Sequence, residues 1–222
     1  MKQIETASLL DLSRTDFADI FANVRYPFEI LKSIGEYILK KGPKLGPDFK
    51  MIKENVWVGA GTVIADSASI TGPAIIGRNC EIRHCAFIRG NAIIGDSCVI
   101  GNSTEVKNSM LFNNVQTPHF NYVGDSVMGY KSHIGAGVIL SNVRSIPGEV
   151  KVRIGDTVIN TGLRKFSCVL GDHVEVGCNS VMNPGTIVGK NSVVYPLSSV
   201  RGFIPELSIF KNDGTVTKIT LN

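Results

Sequence analysis

Two basic side chains occupy equivalent places in this sequence and could together bind an anion. Arg89 follows the aliphatic Ile88, and Lys107 follows Val106 eighteen residues later. If both lie on one edge of a regular structure, about 4.8 Å apart, their charges repel unless an anion lies beside them. The pair predicts a phosphate site, and removal of either cation is expected to leave stability unchanged or slightly higher. Two solvated surface cations are the alternative.

A histidine and a tyrosine follow in an irregular stretch. His119 and Tyr122 lie in NNVQTPHFNYVGD, which we predict to be a loop that leaves the regular structure. Histidine suits a general base at neutral pH, although a hydrogen-bonded loop histidine is the alternative. The stretch Ile134-Gly-Ala-Gly137 could bring backbone N–H groups to a developing oxyanion, or could simply be a corner turn.

Metal ligation is not predicted. Among the histidines, His84, His133 and His173 are further candidates for chemistry, but none forms a pair with the short spacing of zinc-binding β-helix enzymes. The five cysteines show neither metal nor disulfide spacing. We expect Cys80 and Cys98, eighteen residues apart, to stack as core thiols.

A six-residue repeat positions these side chains. Ile or Val recurs at every sixth position through this run: Ile52, Val58, Ile64, Ile70, Ile76, Ile82, Ile88, Ile94, Ile100 and Val106. Neither a helix nor a strand face has a period of six, whereas a parallel β-helix of hexapeptides does. The period becomes irregular after Val106, with Phe112 predicted in the next inward slot. It returns at Ile134 and Leu140, and again from Leu170 to Val200. The sequence therefore predicts an all-β solenoid with coils of eighteen residues.

Other segments flank or interrupt the coils. Residues 1–48 form a short N-terminal helical segment, with a helix from Pro27 to Gly42, that we expect to cover the open edge of the first coil. The β-helix occupies 49–204 and includes an inserted basic hairpin at about 143–165. A C-terminal hairpin tail around Asn212-Asp213-Gly214 occupies 205–222.

The composition limits the kinds of ligand and cellular location that are expected for this chain. The 222 residues carry a net charge of +4, which does not suggest nucleic acid but would help to attract a phosphorylated substrate. No signal region or apolar run of membrane length is present in this sequence, so neither a membrane nor an oxidising compartment is expected. The expected location is the cytoplasm.

Several motifs resemble a known family. FIRGNAIIG, GNSTEVKNS, PHFNYVGDSVMG, SHIGAGVILSN and TGLRKFSCVLGDHVEVG occur in order over about half of the chain. They resemble the C-terminal acetyltransferase half of the bifunctional UDP-N-acetylglucosamine pyrophosphorylase / glucosamine-1-phosphate N-acetyltransferase family, with features of its archaeal-type members. The resemblance implies a homotrimer of left-handed parallel β-helices, with sites between subunits, that acetylates glucosamine 1-phosphate from acetyl-CoA.

The resemblance also implies residue roles. His119 would be the general base; Ala136 and Cys178 would line the acetyl-CoA pocket. The substrate-binding residues would be Arg89, Lys107, Tyr122, His133, Asn142 and Lys165. His133 departs from the asparagine usual before IGAG, and no nucleotidyltransferase half is recognisable, so we expect no uridylyl transfer. Acylation of another amino sugar or a nucleotide-linked sugar, and a non-catalytic scaffold, are the alternative functions.

Overall fold

The chain winds into a parallel β-helix. A computed structural model describes residues 1–220; the last two residues of the predicted C-terminal tail, Leu221 and Asn222, lie outside the described part. Strands one coil apart pair in parallel, as Ile76 does with Ile94. Within the repeat, the inward aliphatic side chains are buried from Ile70 to Val106. The hexapeptide prediction is therefore confirmed.

Each coil gives one short strand to each of three sheets, which we name A, B and C. Sheet A contains Phe49–Lys53, Val56–Gly59, Ala74–Ile76, Ala92–Ile94, Ser109–Leu111, Val127–Met128, Cys168–Leu170, Thr186–Val188 and Phe203–Ile204. Sheet B contains Val63–Ile64, Glu81–Ile82, Val99–Asn102, Gln116–His119, His133–Ile134, Glu175–Val176, Val193–Val194, Ser208–Phe210 and Val216–Lys218. Sheet C contains Ser69–Thr71, Phe87–Arg89, Glu105–Lys107, Tyr122–Gly124, Ile139–Leu140, Val181–Met182 and Ser199–Val200.

Short helices precede the coils. The α-helices are Thr6–Leu9 and Ile34–Lys41, and the 3-10 helices are Lys2–Ile4, Leu12–Arg14, Ala18–Phe21, Pro27–Lys32 and Gly42–Lys44. The helix predicted after Pro27 is thus divided in two. The division falls at Ser33, whose φ of −117° departs from helical geometry.

The N-terminal segment lies lengthwise across sheet A. It reaches the first coil, where a Cβ at Gly42 would lie 2.5 Å from the Trp57 ring, but it also packs on later coils, which the prediction did not include. Phe28 packs against Phe166 with ring centroids 5.1 Å apart, and the Asp172 N–H donates to the Leu9 carbonyl at 3.1 Å. Both contacts are far from the first coil. The reason is an apolar outer face, since the residues before the inward aliphatics of sheet A are large and apolar: Trp57, Ile75, Ile93, Met110, Val127, Val169 and Ile187. Burying that face stabilises the packing.

Two coil corners are one residue short. Ile94 pairs with Leu111, and Leu111 pairs with Met128, so these two successive coils contain seventeen residues each. Leu111 therefore takes the inward slot predicted for Phe112, which packs instead on Phe21 at a centroid distance of 5.8 Å. The shorter corners absorb the irregular stretch without breaking the ladder, so the predicted loop at NNVQTPHFNYVGD is wrong.

Two antiparallel hairpins leave the regular coils. The first pairs Lys151–Ile154 with Thr157–Asn160, inside the predicted insertion. The second pairs Ser208–Phe210 with Val216–Lys218, as the Asn-Asp-Gly turn predicts. The insertion packs against the corners of later coils, because a Cβ at Gly185 would lie 2.4 Å from the Lys151 carbonyl oxygen.

Candidate active site

The two predicted phosphate-binding cations lie on sheet C, but each already has a carboxylate partner. Arg89 Nη1 lies 2.8 Å from Glu105 Oε1, and Lys107 Nζ lies 2.9 Å from Asp125 Oδ2. The expectation of two unpaired cations that repel each other is therefore wrong. Their surroundings also differ, because the Arg89 side chain is 54% exposed and that of Lys107 only 17%.

Asp125 organises this edge of sheet C, and the sequence reasoning missed it. Its side chain is 5% exposed and accepts from Lys107, from Asn108 Nδ2 at 2.8 Å and from Asn142 Nδ2. The residue has a φ of 47°, a left-handed conformation that aspartate tolerates better than most side chains. A buried carboxylate with three donors holds Lys107 and Asn142 in fixed positions.

Tyr122 lies beside these groups as a protonated phenol. It pairs in register with Glu105 on the neighbouring strand. Burial, then the charges of Glu105 and Asp125, raises the pKa of the Tyr122 phenol above its ordinary value, while hydrogen bonding to Asn142 acts in the opposite direction. A phenol is already protonated at neutral pH, and the upward shift of the pKa extends this to higher pH, so the hydroxyl can donate a hydrogen bond.

The inserted segment returns to the same edge of the sheet. A bridge joins Val143 to Lys165, and the Phe166 N–H donates to the Asn142 carbonyl at 3.0 Å. These contacts place Lys165 beside Asn142 in spite of the intervening hairpin. Within residues 1–220, the exposed Lys165 forms no ion pair.

His119 ends a strand of sheet B, at the corner that leads into sheet C. The Gly137 N–H donates to the His119 carbonyl at 3.1 Å, and the Asn179 N–H donates to the Ala136 carbonyl at 2.8 Å. His119, Ala136 and Cys178 therefore occupy one corner of three successive coils. The corner is tight, since a Cβ at Gly135 would lie 2.8 Å from the Cys178 sulfur.

The groups at this corner are open to a ligand. The His119 side chain is exposed and, among the described residues, has no hydrogen-bond partner; its backbone N–H donates to Asn121 Oδ1 at 3.1 Å. The Ala136 N–H has no hydrogen-bond partner within residues 1–220 either. An unpaired imidazole and an unpaired N–H donor are thus available on adjacent coils.

His133 lies apart from both the sheet C residues around Arg89 and the corner that contains His119. It lies on the outer face of sheet B, where its Nδ1 is 2.7 Å from Glu175 Oε2. Gln116 and Lys131 line the same shallow cavity. Within one chain, the residue therefore faces away from the Arg89 edge.

Within residues 1–220, no group of three or more His, Cys, Asp or Glu side chains could hold a metal ion. No helix in that part of the chain is long and apolar enough to cross a membrane.

Comparison with known proteins decides the family. Residues 70–194, which include most of the coils and both groups of site residues, match the family described as GMPPB C-terminal domain. The chain belongs to this family.

Curated relatives of this GMPPB C-terminal domain chain are longer proteins. The chain is 36% identical over half of its length to a bifunctional sugar-1-phosphate nucleotidylyltransferase/acetyltransferase of Sulfurisphaera tokodaii. It is 35% identical over 53% of its length to the bifunctional protein GlmU of Methanococcus vannielii. The matches cover 28% of each relative. Among solved structures, Arabidopsis UDP-N-acetylglucosamine acyltransferase aligns with a TM-score of 0.49 and 14% identity, over 72% of this chain and 62% of that one.

Proposed function

We propose that this chain is an acetyl-CoA-dependent N-acetyltransferase that acts on an amino-sugar phosphate, with glucosamine 1-phosphate as the expected acceptor. The observation that carries the proposal is the arrangement around sheet C. Cations and a protonated phenol line one part of the sheet, and an exposed imidazole stands at the corner three residues before Tyr122. A sugar that spans this short distance could present its phosphate and its amine to the two groups.

The proposed chemistry is amine acylation. The imidazole of His119 takes a proton from the acceptor amine as the nitrogen attacks the thioester carbon. The Ala136 N–H donates to the developing oxyanion. Collapse of the tetrahedral species expels the thiolate of coenzyme A, which accepts the proton from the imidazolium. Positioning supplies much of the rate enhancement.

The phosphate clamp consists of groups that are partly fixed before the substrate binds. Asp125 holds Lys107 and Asn142, and Tyr122 donates through its phenol. Arg89 is the most exposed member of the ion pairs, since its side chain is 54% exposed and that of its partner Glu105 is 29% exposed. Lys165 adds a positive charge at the base of the insertion.

The proposal includes a homotrimer in the cytoplasm. Sheet A is covered by the N-terminal segment, so sheets B and C are the faces left for association between subunits. A site shared by two chains would also give His133 a place, because sheet B of one subunit could face sheet C of the next.

A kinetic comparison tests the clamp. Arg89→Ala should raise KM for glucosamine 1-phosphate by roughly ten- to a hundred-fold and leave KM for acetyl-CoA unchanged, because a charge-assisted hydrogen bond is lost. Arg83→Ala is the matched control, since Arg83 also follows an inward aliphatic and pairs with Glu81 at 2.7 Å, but on sheet B. An unchanged KM in Arg89→Ala, or an equal rise in both variants, contradicts the clamp.

A further inference from the structure

A second cavity lies beside the candidate site. It measures about 200 Å³, is partly open to solvent, and is bordered by the start of the inserted segment and the corners of the next two coils. Ser141, which precedes Asn142, lines one side, and Arg144 and Arg201 line others. Cavities that hold a whole drug-sized ligand measure about 300–1,000 Å³, so this one suits a single charged group of a larger ligand.

The charge of the cavity is one-sided. Two guanidinium groups line it, and no carboxylate does so among the described residues. Neither arginine forms a salt bridge within residues 1–220, in contrast to Arg78, which contacts Asp16, Asp48 and Asp96. Two uncompensated guanidinium groups around one cavity attract an anion, and their planar donors match phosphate oxygens.

The two arginines are also positioned by their neighbours. Arg144 Nη1 donates to the Glu149 carbonyl at 2.8 Å. Gly148 leaves room for this contact, since a Cβ there would lie 3.1 Å from Arg144 Nη1. Arg201 Nη2 lies 3.4 Å from Asn183 Oδ1. Each guanidinium keeps further N–H groups free for a ligand.

We propose that Arg144 and Arg201 form a binding site for a phosphate group of a nucleotide-type ligand. This deepens the proposed function, on which it rests: the phosphate belongs to the adenosine phosphate end of the acyl donor or, if the acceptor is a nucleotide-linked amino sugar in place of glucosamine 1-phosphate, to that nucleotide. The insertion thus contributes a ligand contact as well as a surface hairpin.

Titration of the full chain with inorganic pyrophosphate tests the site. Arg144→Gln and Arg201→Gln should each weaken binding by about tenfold or more. Arg164→Gln is the matched control, because it removes the same charge from the same insertion but does not line the cavity. At physiological salt it should change binding by less than about twofold. Thermal melting of each variant verifies that the fold is retained.

Two further probes distinguish the sources of the phosphate. If Arg144→Gln weakens binding of 3′,5′-ADP but not of UDP, the phosphate belongs to the acyl donor; the reverse result assigns it to the acceptor. No binding of pyrophosphate by the unmodified chain, equal weakening in all three variants, or no effect on either nucleotide overturns the proposal. Acetyl transfer plays no part in these titrations, so their failure is distinct from failure of the proposed enzyme activity.

Discussion

Replacing Lys107 by methionine separates a buried structural charge from an exposed one. The Lys107 side chain is 17% exposed and lies 2.9 Å from Asp125, which is 5% exposed. Without the ammonium, the carboxylate keeps only the amides of Asn108 and Asn142 as side-chain donors. Breaking a buried ion pair from one side costs about 3–5 kcal/mol, and two retained donors favour the lower end of that range. We therefore expect Lys107→Met to lower the free energy of unfolding by about 3 kcal/mol.

Urea unfolding monitored by circular dichroism measures this loss. Arg89→Met is the matched control: its side chain is 54% exposed, so its unfolding curve should overlay that of the unmodified chain. Adding Asp125→Asn to Lys107→Met removes both charges and should recover part of the loss. The reasoning is refuted if Lys107→Met is as stable as Arg89→Met, or if the double variant is no more stable than Lys107→Met alone.

Three further predictions concern thiols, packing and assembly. Iodoacetamide at pH 8 should label Cys178 and Cys85, which are exposed, but not Cys168, because burial raises the pKa of that thiol to about 12. Acetyl-CoA should protect Cys178 and leave Cys85 reactive. Equal protection of the two thiols, measured by mass spectrometry, contradicts an acetyl-CoA pocket at Cys178. Asp172→Asn should lower the free energy of unfolding by about 2 kcal/mol, because the carboxylate accepts from the Asp11 N–H at 2.7 Å and pairs with Lys190 at 3.2 Å. Weakening the Asp11 contact should expose the N-terminal segment to protease, and an unchanged cleavage pattern argues against this anchor. Light scattering at micromolar concentration should give a trimer, and a monomer there counts against a shared site.

The coils were predictable because their signal is local and strictly periodic. A column of Ile and Val at every sixth residue has no common explanation other than a hexapeptide solenoid. The path of the N-terminal segment was not predicted, although a weaker signal exists. Trp57, Ile75 and Ile93 stand eighteen residues apart, just before inward aliphatics, and mark the one sheet whose outer face is apolar.

The positions of the site residues followed from the period, but their partners did not. A search for basic residues one coil apart in the sequence finds Arg89 and Lys107. The same search extended to acids would have found Asp125, which lies eighteen residues after Lys107. A spacing of eighteen residues would place Asp125 directly beside Lys107 on the next strand. The coil is one residue shorter, so Lys107 pairs with Gly124 and Asp125 lies at the corner that follows. This change of register depends on which coil corner is one residue short, and the repeat alone does not predict that.

The contribution of the insertion could not be worked out from periodicity. Asn142 and Lys165 are separated by a hairpin, and only the family resemblance related them. Their proximity arises from the bridge between Val143 and Lys165, a tertiary contact that closes the base of the insertion. The Arg144 and Arg201 cavity has the same origin, since it forms where the insertion meets later coils.

The most direct test of the proposed enzyme is acetyl transfer from acetyl-CoA to glucosamine 1-phosphate, followed by mass spectrometry. The unmodified chain should form the N-acetylated sugar phosphate, and His119→Ala should lower kcat by roughly 10²–10⁴-fold, the usual contribution of a general base, with no loss of stability. His84→Ala is the control, because His84 occupies the same corner of the coils two turns earlier, and its turnover should be unchanged. Absence of product from the unmodified chain, or full turnover by His119→Ala, contradicts the account.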